Sequence, residues 1–92
     1  MGAQILEVSV DNAPTHAAWA NHLGGIPFPL LADFHPKGRV GAMYGVYNDE
    51  RGTDRRSVFV IDREGTIRHV HEYVPGTLPD ARAILEEVKS IL

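Results

Sequence analysis

The chain has 92 residues, of which 43% are hydrophobic and 23% charged, and its formal net charge is −3 at neutral pH. We expect one domain covering residues 1–92, because a chain this short rarely forms two. The acidic balance argues against a nucleic-acid or anionic-membrane surface, since both require a basic footprint. Cysteine is absent, so this chain supplies no disulfide, thiolate metal site or thiol nucleophile.

The sequence shows no targeting signal. Its apolar runs are shorter than the roughly 20 residues that a membrane-spanning helix needs. The first residues also lack the basic stretch and hydrophobic core of a signal peptide. We therefore expect a cytoplasmic protein with no membrane contact. We also expect no cofactor.

The chain opens with a predicted strand and a predicted helix. Residues 4–10 are an apolar run of strand length, which we expect to be buried. Pro14 suits the first turn of a helix that starts at Asn12 or Ala13, and the glycine pair at positions 24 and 25 should end it.

The middle of the chain predicts shorter elements. Residues 30–32 should form a brief strand. Residues 39–44 should form a short helix with Gly45 as its C-terminal cap and with three side chains facing inward, namely Val40, Met43 and Tyr44. Residues 46–54 are rich in charge and predict a solvated loop.

A β-hairpin is the clearest local pattern. Residues 57–61 are dense in β-branched and aromatic side chains, residues 62–65 have the composition of a tight turn, and residues 66–73 alternate between apolar and polar. We expect the first strand to be covered on both faces and the second to lie nearer an edge. Arg55 and Arg56 place two fixed cations directly before the covered strand.

The last element is an amphipathic helix. Residues 74–76 should break the sheet, and Thr77 or Asp80 should start the helix. Its apolar positions follow helical spacing and should cover a sheet face: Ala81, Ile84, Leu85, Val88, Ile91 and Leu92. Its polar positions should lie opposite: Glu86, Glu87, Lys89 and Ser90.

The order β-α-β-α-β-β-α suggests an α/β sandwich of the thioredoxin kind, and periodicity alone leaves ferredoxin-like arrangements as alternatives. His69 and His71 point the same way from one strand and could clamp a metal ion. No carboxylate or third histidine has a convincing spacing, so we predict no metal site. Asp11 and Asp33 end strands and suit caps or turns better than acid–base chemistry.

The chain resembles the peroxiredoxins of the alkyl hydroperoxide reductase and thiol-specific antioxidant type over essentially its whole length. Five ordered motifs carry the resemblance: Val8-Ser9-Val10-Asp11, His16-Ala17-Ala18-Trp19-Ala20-Asn21, Ile26-Pro27-Phe28-Pro29-Leu30-Leu31-Ala32-Asp33, Tyr44-Gly45-Val46 and Arg56-Ser57-Val58-Phe59-Val60-Ile61-Asp62. The resemblance covers only the C-terminal part of such a protein. The N-terminal strands and the helix that bears the peroxidatic cysteine have no counterpart in the sequence.

By resemblance, intact relatives reduce hydrogen peroxide and alkyl hydroperoxides with a thiolate that a thiol reductant regenerates. The resemblance assigns Arg56 to the arginine that stabilises this thiolate and hydrogen-bonds the peroxide. Ser57 departs from the glycine that follows this arginine in many relatives. Trp19 and Phe34 correspond to the interface or active-site surround. A solvated cation at Arg56 and plain packing at Trp19 are the simpler alternatives.

The resemblance also implies that the strand leading to the active cysteine should lie between residues 4–10 and residues 57–62. Without it, these two strands could pair directly, a second copy could supply strands, or a separate N-terminal half could fill the gap. We expect a homodimer. Alone, the chain should be an inactive part of a thiol-dependent peroxidase; the alternative is a non-catalytic thioredoxin-like module that associates through open sheet edges.

Overall fold

The computed structural model describes residues 2–74 and 77–92. The chain divides into two compact units, each described here by itself. The N-terminal unit comprises residues 4–54, and the C-terminal unit comprises residues 55–92 together with the first residues of the chain.

The N-terminal unit begins with a strand–helix–strand segment: β1 (Glu7–Ser9), α1 (Ala13–His22) and β2 (Leu30–Ala32). β1 and β2 are parallel. Asn12 caps α1, because its side-chain oxygen accepts a hydrogen bond from the backbone N–H of Thr15 at 2.8 Å. A proline occupies the first turn, which confirms the predicted start of this helix.

The rest of the N-terminal unit consists of α2 (Arg39–Met43), β3 (Tyr47–Asn48) and β4 (Thr53–Asp54). The predicted solvated loop over residues 46–54 instead contains a small antiparallel hairpin, in which β3 and β4 pair. Gly45, at φ 75°, follows α2 as the sequence predicted.

The inward face predicted for α2 is also wrong. Val40, Met43 and Tyr44 are 37%, 73% and 41% exposed, and Gly41 is the residue of this helix that is buried. The helix has only five residues, and on its buried side Gly41 lies against the Asp54 carboxylate.

The C-terminal unit contains the predicted hairpin, formed by β5 (Arg56–Ile61) and β6 (Ile67–Tyr73). The strands are antiparallel, with a bulge between Val60 and Ile61. Gly65 has φ 84° in the turn, a conformation that glycine adopts at little cost. The hairpin prediction is confirmed.

The final helix, α3 (Ala81–Ile91), begins where expected, because Asp80 caps it by accepting from the backbone N–H of Ala83 at 3.2 Å. Its half-buried positions are Ile84, Glu87, Val88 and Ile91. Glu87 therefore belongs to the covered stripe, and the prediction that it lies on the solvent face is wrong. Leu85, predicted to be covered, is 40% exposed.

The hydrophobic core is small. Val46 and Val60, at 7% and 6% exposure, are the buried hydrophobic residues among those described. The prediction that residues 4–10 are buried is wrong, since Ile5 and Leu6 are 62% and 56% exposed. β5 is only partly covered, with Ile61 at 43%. Each sheet of the described residues has two strands, and many large apolar side chains there remain exposed.

The pairing of the apolar strands follows from this topology. In the described residues β1 is paired with β2 and β5 with β6. The sheet break predicted at residues 74–76 lies partly outside the described residues. None of the described helices combines the length and apolar character required to cross a membrane.

Candidate functional site

Arg56 is the first residue of β5 and lies opposite Tyr73 of β6. It is exposed. Among the described residues its guanidinium makes no ion pair and no side-chain hydrogen bond. This cation is therefore accessible to an anionic or polar ligand.

The neighbouring cation, Arg55, forms an ion pair. Nη2 of Arg55 lies 3.5 Å from a carboxylate oxygen of Glu72 on β6, and both side chains are about half exposed. A surface pair of this kind contributes little stability, but it partly neutralises the charge of Arg55. Of the two adjacent arginines, Arg56 is the better candidate for ligand chemistry.

Trp19 and Phe34, the other predicted site residues, belong to the N-terminal unit and are 44% and 51% exposed. Trp19 lines a shallow cavity of about 230 Å³, which it shares with Glu7, Ser9, Asp11, Thr15 and His16. Large aromatic side chains with this exposure suit a contact surface.

A polar chain of three side chains runs along one wall of this cavity. The Ser9 hydroxyl donates to Oδ2 of Asp11 at 2.9 Å and contacts Nε2 of His16 at 2.5 Å. The tautomer of His16 decides which of the two groups donates in the Ser9–His16 contact. The carboxylate thus contacts the serine rather than the histidine, which is unlike a Ser-His-Asp hydrolytic triad. His16 had no assigned role in the sequence, and its spacing from Ser9 gives no signal.

Two carboxylates lie around α2. Asp33 is 5% exposed and accepts hydrogen bonds from the backbone N–H groups of Val40 at 3.0 Å and Gly41 at 2.9 Å, so it is a cap, as the sequence suggested. Burial, and then the charge of Asp33, raise the pKa of Asp54.

The two histidines of β6 converge on α3. Carboxylate oxygens of Glu87 lie 2.7 Å from Nε2 of His71 and 3.1 Å from Nδ1 of His69. Sequence spacing offers no signal for this carboxylate, because Glu87 lies 16 residues from His71 and helical periodicity ranks it as solvent-facing. Within the described part of the chain, no group of three or more His, Cys, Asp or Glu side chains is arranged to hold a metal ion.

The AhpC/TSA family matches residues 1–70 of the chain. Alkyl hydroperoxide reductase E of Mycobacterium tuberculosis is 46% identical over 77 residues, covering 84% of this chain and 50% of that protein. The selenocysteine-containing peroxiredoxin PrxU of Peptoclostridium acidaminophilum is 39% identical, covering 99% of this chain and 45% of that protein.

Solved structures give the same result. The Mycobacterium tuberculosis AhpC structure superposes with a TM-score of 0.85 at 30% identity, covering 96% of this chain and 52% of that one. The structure of the mitochondrial 2-Cys peroxiredoxin from Plasmodium falciparum gives a TM-score of 0.83 at 28% identity. The chain spans about half the length of these relatives. Its elements are those of a thioredoxin-like fold, and the chain belongs to the AhpC/TSA family, the peroxiredoxins.

Proposed function

We propose that this chain is the C-terminal part of a thiol-dependent peroxidase, inactive alone, and that Arg56 is its contribution to the active site. The observation that carries this proposal is the accessible, unneutralised guanidinium of Arg56 in a peroxiredoxin-family chain without cysteine. The coverage of half of each relative supports the assignment to one part of a longer catalytic unit.

The chemistry assigns a definite task to Arg56. A cysteine thiolate attacks the terminal oxygen of a hydroperoxide, the O–O bond breaks, and the products are a sulfenic acid and, after proton uptake, water or an alcohol. A guanidinium close to the sulfur favours the thiolate over the thiol and donates hydrogen bonds to the peroxide oxygens. Arginine remains charged throughout, so it stabilises negative charge without acting as the proton donor.

The partner in this proposal is either the missing N-terminal half or a second copy of the chain, as in a homodimer. The exposed apolar side chains around β1 and β2 support association, since water-exposed apolar surface favours burial in a contact: Ile5, Leu6, Val8 and Leu31. The proposal also includes a cytoplasmic location. It includes no nucleic-acid binding, which agrees with the net charge of −3.

Complementation tests the catalytic part. The chain is mixed with the N-terminal half of Mycobacterium tuberculosis alkyl hydroperoxide reductase E, and peroxide consumption is measured in the presence of a thiol reductant. We expect turnover only in the mixture, with co-elution of the two polypeptides. Replacing Arg56 by Gln should lower this rate by about 100-fold, the scale for loss of a preorganised donor.

Arg55→Gln is the matched control, because its charge is already shared with Glu72 and it should leave the rate nearly unchanged. The catalytic proposal would be contradicted by a mixture that co-elutes but consumes peroxide no faster than the N-terminal half alone. Equal losses in the two arginine variants would contradict the specific role of Arg56.

A non-catalytic module that associates through its sheet edges is the second candidate, favoured by the two-stranded sheets and their exposed apolar side chains. Size-exclusion chromatography with light scattering measures the mass in solution. A dimer or larger species supports association, whereas a clean monomer at micromolar concentration contradicts it.

A further inference from the structure

Gly41 lies between two carboxylates in the N-terminal unit. On one side, its backbone N–H donates to Oδ2 of Asp33. On the other side, Oδ1 of Asp54 occupies the space that a Cβ at this position would take, and such an atom would overlap the oxygen. Gly41 has no positive φ, so the backbone does not require glycine. What glycine provides is room for the Asp54 carboxylate to reach α2.

The loss of hydration at the Asp54 carboxylate is poorly compensated by hydrogen bonds in this position. Its Oδ1 is shielded from water and has no hydrogen-bond partner among the described residues. Asp33 does not supply one, because its carboxylate accepts from the backbone N–H groups of Val40 and Gly41 and, when ionised, has no proton to donate. An ionised carboxylate held this way loses hydration without replacement, whereas the protonated acid loses much less.

The groups around Asp54 are few. Tyr47 of β3 lies opposite it in the hairpin register, and the Tyr47 ring packs against Gly38. Lys37 approaches Gly52 in the turn between β3 and β4. Arg39 of α2 is exposed, and Asp54 makes no ion pair with a cation in the described residues. Asp33 is a nearby charge that acts on Asp54, and it has the same sign.

We propose that Asp54 and Gly41 form a proton-operated latch, in which the β3–β4 hairpin closes on α2 when Asp54 is protonated and loosens when it is ionised. The direction follows from the cost of the buried charge. Burial and Asp33 raise the pKa of Asp54 above its ordinary value of 3.8, so the closed form binds a proton that the open form releases. Closure therefore strengthens as the pH falls through the raised pKa.

Amide hydrogen exchange in β3 and β4, corrected for the intrinsic effect of pH, measures the latch in the full chain. Protection should increase as the pH falls from 7 through the titration of Asp54, by about tenfold for each unit by which the pKa is raised. The carboxyl carbon of Asp54, followed by NMR in the same samples, should titrate above its ordinary range.

Asp54→Asn supplies the neutral form permanently, so its hairpin should be protected at every pH and the pH dependence should disappear. Asp49→Asn, in the same hairpin turn but exposed, is the matched control and should retain the wild-type pH dependence. In Gly41→Ala, the added methyl group should displace the Asp54 carboxylate from α2. Amide protection in β3 and β4 should then be low at both ends of the pH range.

Two results would overturn the latch: wild-type pH dependence in Asp54→Asn, or an Asp54 carboxyl that ionises at or below its ordinary range. Neither result depends on Gly41→Ala, whose α2 could fail to form. Neither involves Arg56, so the latch and the proposed peroxidase role stand or fall separately.

Discussion

Within each unit, side-chain oxygens cap helix starts, and in the C-terminal unit side chains of opposite charge also join a strand to a helix. In the N-terminal unit, carboxylate and amide side chains accept hydrogen bonds from backbone N–H groups at helix starts, as Asn12 and Asp33 do. In the C-terminal unit, side chains of opposite charge or hydrogen-bonding character join strands and helix, as Glu87 does with two histidines. Each unit buries a single hydrophobic residue among those described, Val46 and Val60 respectively.

This difference shows how a chain with a thin core keeps its local structure. A backbone cap is determined by residues close in sequence and needs no distant partner. A contact between a strand and a helix needs the whole hairpin to be formed first, because loop closure costs entropy before the contact exists. The N-terminal unit should therefore be more sensitive to loss of single caps, and the C-terminal unit to loss of bridging side chains.

The largest effect should come from the buried cap. Asp33→Ala removes both acceptors from the backbone N–H groups of Val40 and Gly41, at a site that is 5% exposed. We expect a loss of about 2–3 kcal/mol in the free energy of unfolding, measured by urea denaturation. Asp49→Ala, an exposed aspartate of the same unit, should change it by less than about 0.5 kcal/mol. Similar losses in both variants would show that the cap does not hold this unit.

The next effect concerns the bridge of the C-terminal unit. Glu87→Gln removes the charge that His69 and His71 share, and a loss of about 1–2 kcal/mol should appear as a lower thermal midpoint and faster amide exchange in α3. Glu86→Gln is the control, because it removes one negative charge from the same helix. The ion pair of Glu86 with Lys89 is 3.8 Å long and exposed, so its loss should have a smaller effect. An equal or larger effect at Glu86 would show that the bridge from Glu87 to the histidines does not stabilise this unit.

The smallest effect should be found in the hairpin turn. The pKa of Asp62 is lowered by the hydrogen bond from the Thr66 backbone N–H, and further by Arg68 and by the Glu64 N–H. A lowered pKa means that the folded state prefers the charged form. The stabilisation is therefore complete above the ordinary value of 3.8 and is lost as the pH falls through the lowered value.

Asp62→Asn should accordingly melt below the wild type at pH 6, with the difference shrinking as the pH falls below 3.8. Thermal midpoints of both proteins between pH 6 and pH 2 make the comparison. Glu64→Gln, in the same turn, is the control and should track the wild type. A difference between Asp62→Asn and the wild type that stays constant over this range would show that the carboxylate charge is not the source of the stabilisation.

Caps and turns were predictable because they are decided within a few residues. Asn12 with a proline in the first turn, Asp80 before α3 and Gly65 in the hairpin all behave as the sequence indicated. The family and its thioredoxin-like fold were also identified from the ordered motifs, and the comparisons confirm them. The catalytic role of Arg56 stays a prediction.

Burial was not predictable to the same degree, because it depends on what packs against an element rather than on the element itself. Ile5 and Met43 have the character of core residues and yet are 62% and 73% exposed. Glu87 was misplaced for the converse reason: helical periodicity ranks a charged residue as solvent-facing, and only the two histidines across from it make the covered position favourable.

Trp19, partly exposed on α1, is the sole tryptophan of the chain, so the intrinsic fluorescence excited at its absorption edge originates from one known place. A binding partner that covers this indole would shift the emission to shorter wavelength and protect it from a soluble quencher such as iodide. Assembly on that face of the protein could thus be followed in real time without attaching a dye.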